Sequence, residues 1–132
     1  MNPALILLVA LGGAIGSASR YALSFAVQSR TTSLFPWGTL LVNVTGSFLV
    51  GLIMRYALGG QAISAEARLF LTVGFCGGYT TFSTFSYESL RLIEDADYRR
   101  AGLYIVSSVA LSLAATAAGF VLARGLLTGR QG

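Results

Sequence analysis

The sequence predicts an all-α membrane protein: four transmembrane helices, the third broken mid-membrane, assembled as an antiparallel dual-topology homodimer. Three observations carry that expectation. The 132 residues are 55% hydrophobic and only 11% charged, where a soluble domain carries about 25% charged residues. Residues 1–19, 31–54, 69–87 and 101–123 form four runs without any charge, and a helical span needs about 20 mostly apolar residues. The arginines, finally, divide almost evenly between the two faces that these runs define. A chain of this length makes one domain, residues 1–132, with approximate spans 3–29, 36–56, 68–88 and 100–126.

The first span opens with MNPALILLVALGG, which has no basic leader and an apolar stretch longer than a secretory core. It therefore reads as a retained helix and not as a signal peptide. Gly12 and Gly16 permit close helix approach. Near the end of the span stands Arg20, with two readings: it snorkels to the interface, or it lines a water-filled vestibule and attracts anions.

Pro36 and Trp37 suit the interfacial start of the second helix. Within it, Asn43 and Ser47 lie four apart on one face. A mid-membrane amide needs partners, so Asn43 is either interhelical glue or a donor on an ion pathway. The fourth span repeats that spacing over Tyr104, Ser108, Ser112 and Thr116. One hydroxyl alone would bond its own helix backbone. Four in register favour a polar track, because polar side chains in a membrane face protein or water.

The third span holds the least helical segment, GFCGGYTTFSTFSYE. Residues 69–75 read as helix, GGYTT as a poor helix interior, and FSTFSYE as a helix resumed, since glycine costs about 1 kcal/mol against alanine. A break is tolerated in a bilayer only where protein or a wet cavity satisfies the freed backbone groups. Two breaks meeting at a two-fold axis would gather carbonyl oxygens, which suit a hard cation. The helix-start amides beside them would favour an anion. Phe82 and Phe85 share a face of the resumed helix, and their ring edges carry the partial positive charge that an anion can approach. Phe75 reads as ordinary packing. Glu88, closing the span, reads as an interface anchor.

Arg55, Arg68, Arg124 and Arg130 fall on one face; Arg20, Arg30, Arg91, Arg99 and Arg100 fall on the other. Four against five is almost no Lys/Arg bias, and that bias is what orients a membrane protein. The expectation is insertion both ways and antiparallel pairing, with the glycine pairs Gly12/Gly16 and Gly74/Gly78 supporting a homodimer.

Several functions are excluded. Histidine is absent and Cys76 is the only cysteine, so neither an intrachain disulfide nor a His/Cys metal site or His-based catalysis is available. Cys76 reads as a small packing residue. Dispersed arginines argue against nucleic-acid binding. No carboxylates cluster within the spans, as a membrane enzyme would require. Neither the membrane centre nor the first span holds an acidic residue, which sets aside the alternative of a small dual-topology multidrug exporter.

The stretches GGAIGSASRY, WGTLLVNVTGSFLVG and GFCGGYTTFSTFSYE together resemble the Fluc (CrcB) family of fluoride channels, across all four spans. The resemblance implies a dual-topology homodimer with two antiparallel pores in the cell's inner (plasma) membrane, surrounded by lipid and passing fluoride outward down its gradient. It implies a structural sodium ion at the dimer centre, held by the main-chain carbonyls of Gly77 and Thr80 of both copies. It places the pore on Phe82, Phe85, Asn43, Tyr104, Ser108 and Ser112, the vestibule arginine on Arg20, and the glutamate after the third span on Glu88. Ser47 and Thr116 join by spacing more than by resemblance. Selectivity for fluoride comes from the resemblance alone; spacing and composition reach only an anion or small polar solute.

Overall fold

The structure, a computed structural model, describes residues 2–59 and 63–129. Met1, residues 60–62 of the linker between the second and third predicted spans, and Arg130 of the arginine balance lie outside the described residues. Among the described residues the chain is all helix, with no strand. Three helices are long and apolar enough to cross a membrane.

Helix α1 (Pro3–Gln28) starts on Asn2, whose side chain accepts from the Ala4 N–H, with proline at the first helical position. It continues unbroken through Arg20. Gln28 at its end stitches the following turn: its amide nitrogen donates to the Ser33 and Phe35 carbonyls, and its amide oxygen accepts from the Gly38 N–H. That last bond supplies the cap that Pro36 cannot give helix α2 (Trp37–Leu58). After the linker, Ser64 caps α3 (Ala65–Leu69). The chain then passes into a π-helical stretch, Phe70–Cys76, and the short α4 (Gly77–Tyr79). Helix α5 (Phe82–Glu94) is capped by the Thr81 hydroxyl, and α6 (Tyr98–Thr128) by Asp97. Arg100 donates to Asp97 through both backbone and guanidinium, which holds that carboxyl below the usual aspartate range.

The third predicted span is thus divided. Its interruption is shorter and later than the sequence suggests. Gly77, Gly78 and Tyr79 are helical, and only Thr80 (ψ 160°) and Thr81 (φ −151°) are extended. Gly78 serves a different purpose: a Cβ on it would stand 2.5 Å from the Gly13 carbonyl oxygen. Gly78 is small because α1 lies against it, not because the helix must break there, whereas a Cβ on Gly77 would meet only the Thr72 carbonyl oxygen at 3.8 Å.

Two helix pairs make up the packing. In the first, α1 runs alongside the π-helical stretch and α4, with Gly12 opposite Phe70 and Gly74, and Gly16 opposite Phe75 and Tyr79. All four glycines read as support for a dimer are therefore used in packing inside one chain, Gly12 against Gly74 and Gly78 against Gly13. In the second, α2 and α6 run in the same direction. Phe35 meets Tyr104 near their starts, Ser47 meets Thr116 midway, and Gly59 meets Leu127 near their ends. Gly51 and Gly119 bring these two backbones into contact. A small core of Leu40, Leu92, Ala101 and Tyr104, flanked by Phe35, Val44 and Phe85, ties α5 to this pair.

Candidate functional site

The extended pair Thr80–Thr81 leaves backbone groups without helical partners, and α2 supplies the remedy. Asn43 accepts from the Thr81 N–H (2.7 Å) and donates to the Thr81 carbonyl (3.0 Å). One amide side chain thereby satisfies both main-chain groups of one residue. The Thr81 hydroxyl accepts from the Thr84 N–H at 3.2 Å and donates to the Thr84 hydroxyl at 3.0 Å. Thr80 turns back, its N–H and hydroxyl both donating to the Cys76 carbonyl at 2.9 Å.

These bonds redirect two donors. An unbroken helix would give the Thr81 N–H to Gly77 and the Thr84 N–H to Thr80. Both instead go to side-chain oxygens, so the Gly77 and Thr80 carbonyls lose those helical donors. They are the two carbonyls that the family resemblance assigns to sodium, and oxygen donors of this kind fit a hard cation. Helix α1 also reaches this end: Ser17 donates to the Gly78 carbonyl (3.4 Å) and Arg20 to that of Thr80 (3.5 Å). Arg20 is half-buried against the break, where a cation complements the carbonyl end of a half-helix.

On the other side of the break lies a cavity of about 400 Å³. Its wall is Asn43 and Ser47 from α2, Thr80 and Thr81 from the break, Phe82 and Phe85 from α5, and Ser108, Ser112 and Thr116 from α6. Val50, Val109 and Leu113 complete it. Residues from three separate parts of the sequence converge on one space. Phe82 is 78% exposed in the single chain and sits 5.5 Å, centroid to centroid, from Phe85.

The hydroxyl stripe of α6 does not act as one unit. Tyr104 is fully buried away from the cavity, its hydroxyl donating to Glu88 at 2.7 Å and its ring 5.4 Å from Phe85. Thr116 bonds the Ser112 and Ser47 carbonyls, at 3.0 and 3.2 Å, and so links α6 to α2. Ser108 differs from both. Its Oγ is buried and, among the described residues, has no hydrogen-bond partner. A buried hydroxyl without a partner is costly, and this one stands on the cavity wall.

Glu88 is no exposed anchor. It accepts from Thr39 (2.9 Å) as well as from Tyr104, beneath a second cavity of about 530 Å³ that Arg91, Asp95 and Asp97 also line. Sequence reasoning missed Thr39 and Thr81. Thr81 carried a legible signal, a threonine just before a resumed helix; Thr39 carried none, because its partner is 49 residues away.

Packed apolar helices, three of them among the described residues long enough to cross a bilayer, mark an integral membrane protein, and within it an interrupted helix borders a hydroxyl-lined cavity. Residues 7–120 match the family described as CrcB-like protein, Camphor Resistance (CrcB). The chain is 52% identical to the fluoride-specific ion channel FluC of Geobacter sulfurreducens, over 92% of this chain and 98% of that protein. To the proteins of the same name from Thermus thermophilus and Rhizobium meliloti it is 50% and 46% identical, again over 92% of this chain and 96% and 98% of theirs. The chain belongs to the CrcB family.

Proposed function

We propose that this protein is a fluoride-selective passive channel, not an enzyme, that lets fluoride leave the cell and so lowers its toxicity. The observation that carries the reading is the partnerless Ser108 hydroxyl on a cavity walled by two phenylalanines, in a chain whose relatives are named fluoride-specific channels. In the full assembly, α1, α2, the divided third segment and α6 are the four spans. Two copies pair antiparallel in the plasma membrane, with Thr80–Thr81 near the bilayer centre and two pores per dimer.

Each side chain has a stated task. Arg20 raises the local anion concentration beside the break. Ser108 donates a hydrogen bond to fluoride as water is shed, and Ser112 continues the path. Phe82 and Phe85 offer ring edges at the narrow part, a contact weak enough to release the ion. Asn43 keeps the break open through its pair of hydrogen bonds with Thr81 and, standing on the cavity wall, has a second amide hydrogen to offer the ion. Tyr104 and Glu88 position Phe85 from behind. Gly77 and Thr80 of both copies would hold sodium, which when bound supplies fixed positive charge among converging carbonyl dipoles.

Fluoride and chloride efflux from proteoliposomes tests the reading. Fluoride should leave quickly and chloride should be retained, with sodium depletion slowing fluoride. Equal rates for the two anions would sink the proposal.

A further inference from the structure

A third cavity, of about 670 Å³, opens between the starting ends of α2 and α6 and shares no residue with the hydroxyl-lined one. It is lined by Arg99 and Arg100 in the first turn of α6, Trp37 at the start of α2, and Leu103, Ser107 and Leu111 further along α6. The last three lie four apart, so they make one face of α6. From Arg99 to Leu111 that face extends about 18 Å at 1.5 Å per residue, close to the roughly 15 Å depth of one leaflet. Trp37 is 47% exposed at the start of α2, the level where tryptophan marks a membrane interface.

The charge at the arginine end is not balanced. Asp97 is the acidic residue in this wall, and it is committed to capping α6 and to the Arg100 guanidinium. Two guanidinium groups against one committed carboxylate leave net positive charge at headgroup level, above an apolar slot of leaflet depth. Bare phosphate would use the charge and waste the slot, and a zwitterionic lipid would use the slot and gain little from the charge.

We propose that this cleft is a binding site for an anionic phospholipid, its phosphate held by Arg99 and Arg100 and one acyl chain laid along Leu103, Ser107 and Leu111. The test uses the purified full chain in detergent, supplemented with phosphatidylglycerol, phosphatidylcholine or inorganic phosphate. Lipid retention is read by native mass spectrometry and stability by thermal melting. Wild-type protein should retain phosphatidylglycerol over phosphatidylcholine and melt higher with it. Arg99→Gln, which leaves the Asp97–Arg100 pair in place, should lower that preference about fivefold, the contribution expected of one arginine near anionic lipid. Ser107→Phe fills the slot and should lose both lipids while keeping the charge. No preference in the wild type, full preference in Arg99→Gln, or an equal melting shift from inorganic phosphate would each overturn the proposal.

Discussion

Both halves of the molecule bring helix backbones together on glycine, Gly12, Gly16 and Gly78 in one and Gly51 and Gly119 in the other, but they differ in what lies beside the contact. Where α1 meets the π-helical stretch and α4, glycine faces glycine and the backbones touch, with no room for a Cβ on Gly12, Gly16 or Gly78. Where α2 and α6 enclose α5 and the break, the contact surfaces carry Asn43, Ser47, Ser108, Ser112 and Thr116, and a cavity remains. Small residues close a membrane interface through van der Waals contact. Beside the Gly51 and Gly119 contacts, hydroxyl and amide residues line the space toward α5 and the break, and any donor left over becomes available to a passing solute. The first half is thereby a frame and the second a working surface.

Substitutions separate the two. The largest effect should come from the frame: Gly78→Leu drives a side chain into the Gly13 backbone, a clash costing about 3 kcal/mol or more because backbone cannot yield as a side chain would. Loss of the monodisperse peak in size-exclusion chromatography is the expected result, and a normal peak with normal melting would show that the glycine seam is dispensable. Asn43→Leu comes next. It strands the Thr81 N–H and carbonyl, each costing about 1–3 kcal/mol when left unpaired, so thermal stability and fluoride efflux should fall together.

Phe82→Ile touches only the working surface. Fluoride efflux should fall about tenfold, equivalent to a barrier raised by about 1.4 kcal/mol, with the melting temperature unchanged since Phe82 is largely exposed in the chain. Undiminished efflux would remove Phe82 from the path. The finest distinction lies along α6. Thr116→Val gives up a hydroxyl that bonds two carbonyls and should cost about 1 kcal/mol of stability while sparing efflux. Ser108→Ala removes a hydroxyl with no partner, so it should slow efflux and leave stability the same or slightly higher. If both variants behave alike, the division of the stripe into link and donor fails.

Much of the candidate site was legible before any coordinates. Spacing of four placed Ser108, Ser112 and Thr116 on one face of α6, and Asn43 with Ser47 on one face of α2, because helical geometry converts sequence interval directly into direction. The same periodicity placed Tyr104 in that stripe, yet its hydroxyl points to Glu88, because a face tells where a side chain lies and not which neighbour it will find. Glycine content marked the third segment as weak helix, but the interruption falls on the two threonines after the glycines. Composition registers that glycine lacks a side chain; whether the vacancy serves a turn or a close neighbour depends on what packs there.

Membrane character, the apolar runs and the register of each polar face follow from the sequence by itself, since hydrophobicity and a 3.6-residue period are local properties. Three things were settled only by the tertiary structure: that Gly12 meets Gly74 and Gly13 meets Gly78 in the same chain, that Asn43 closes on Thr81, and that Ser108, alone among the buried hydroxyls of the described residues, is left with a donor to spare. Each depends on a partner from another helix, and a local pattern carries no record of which helix will be beside it.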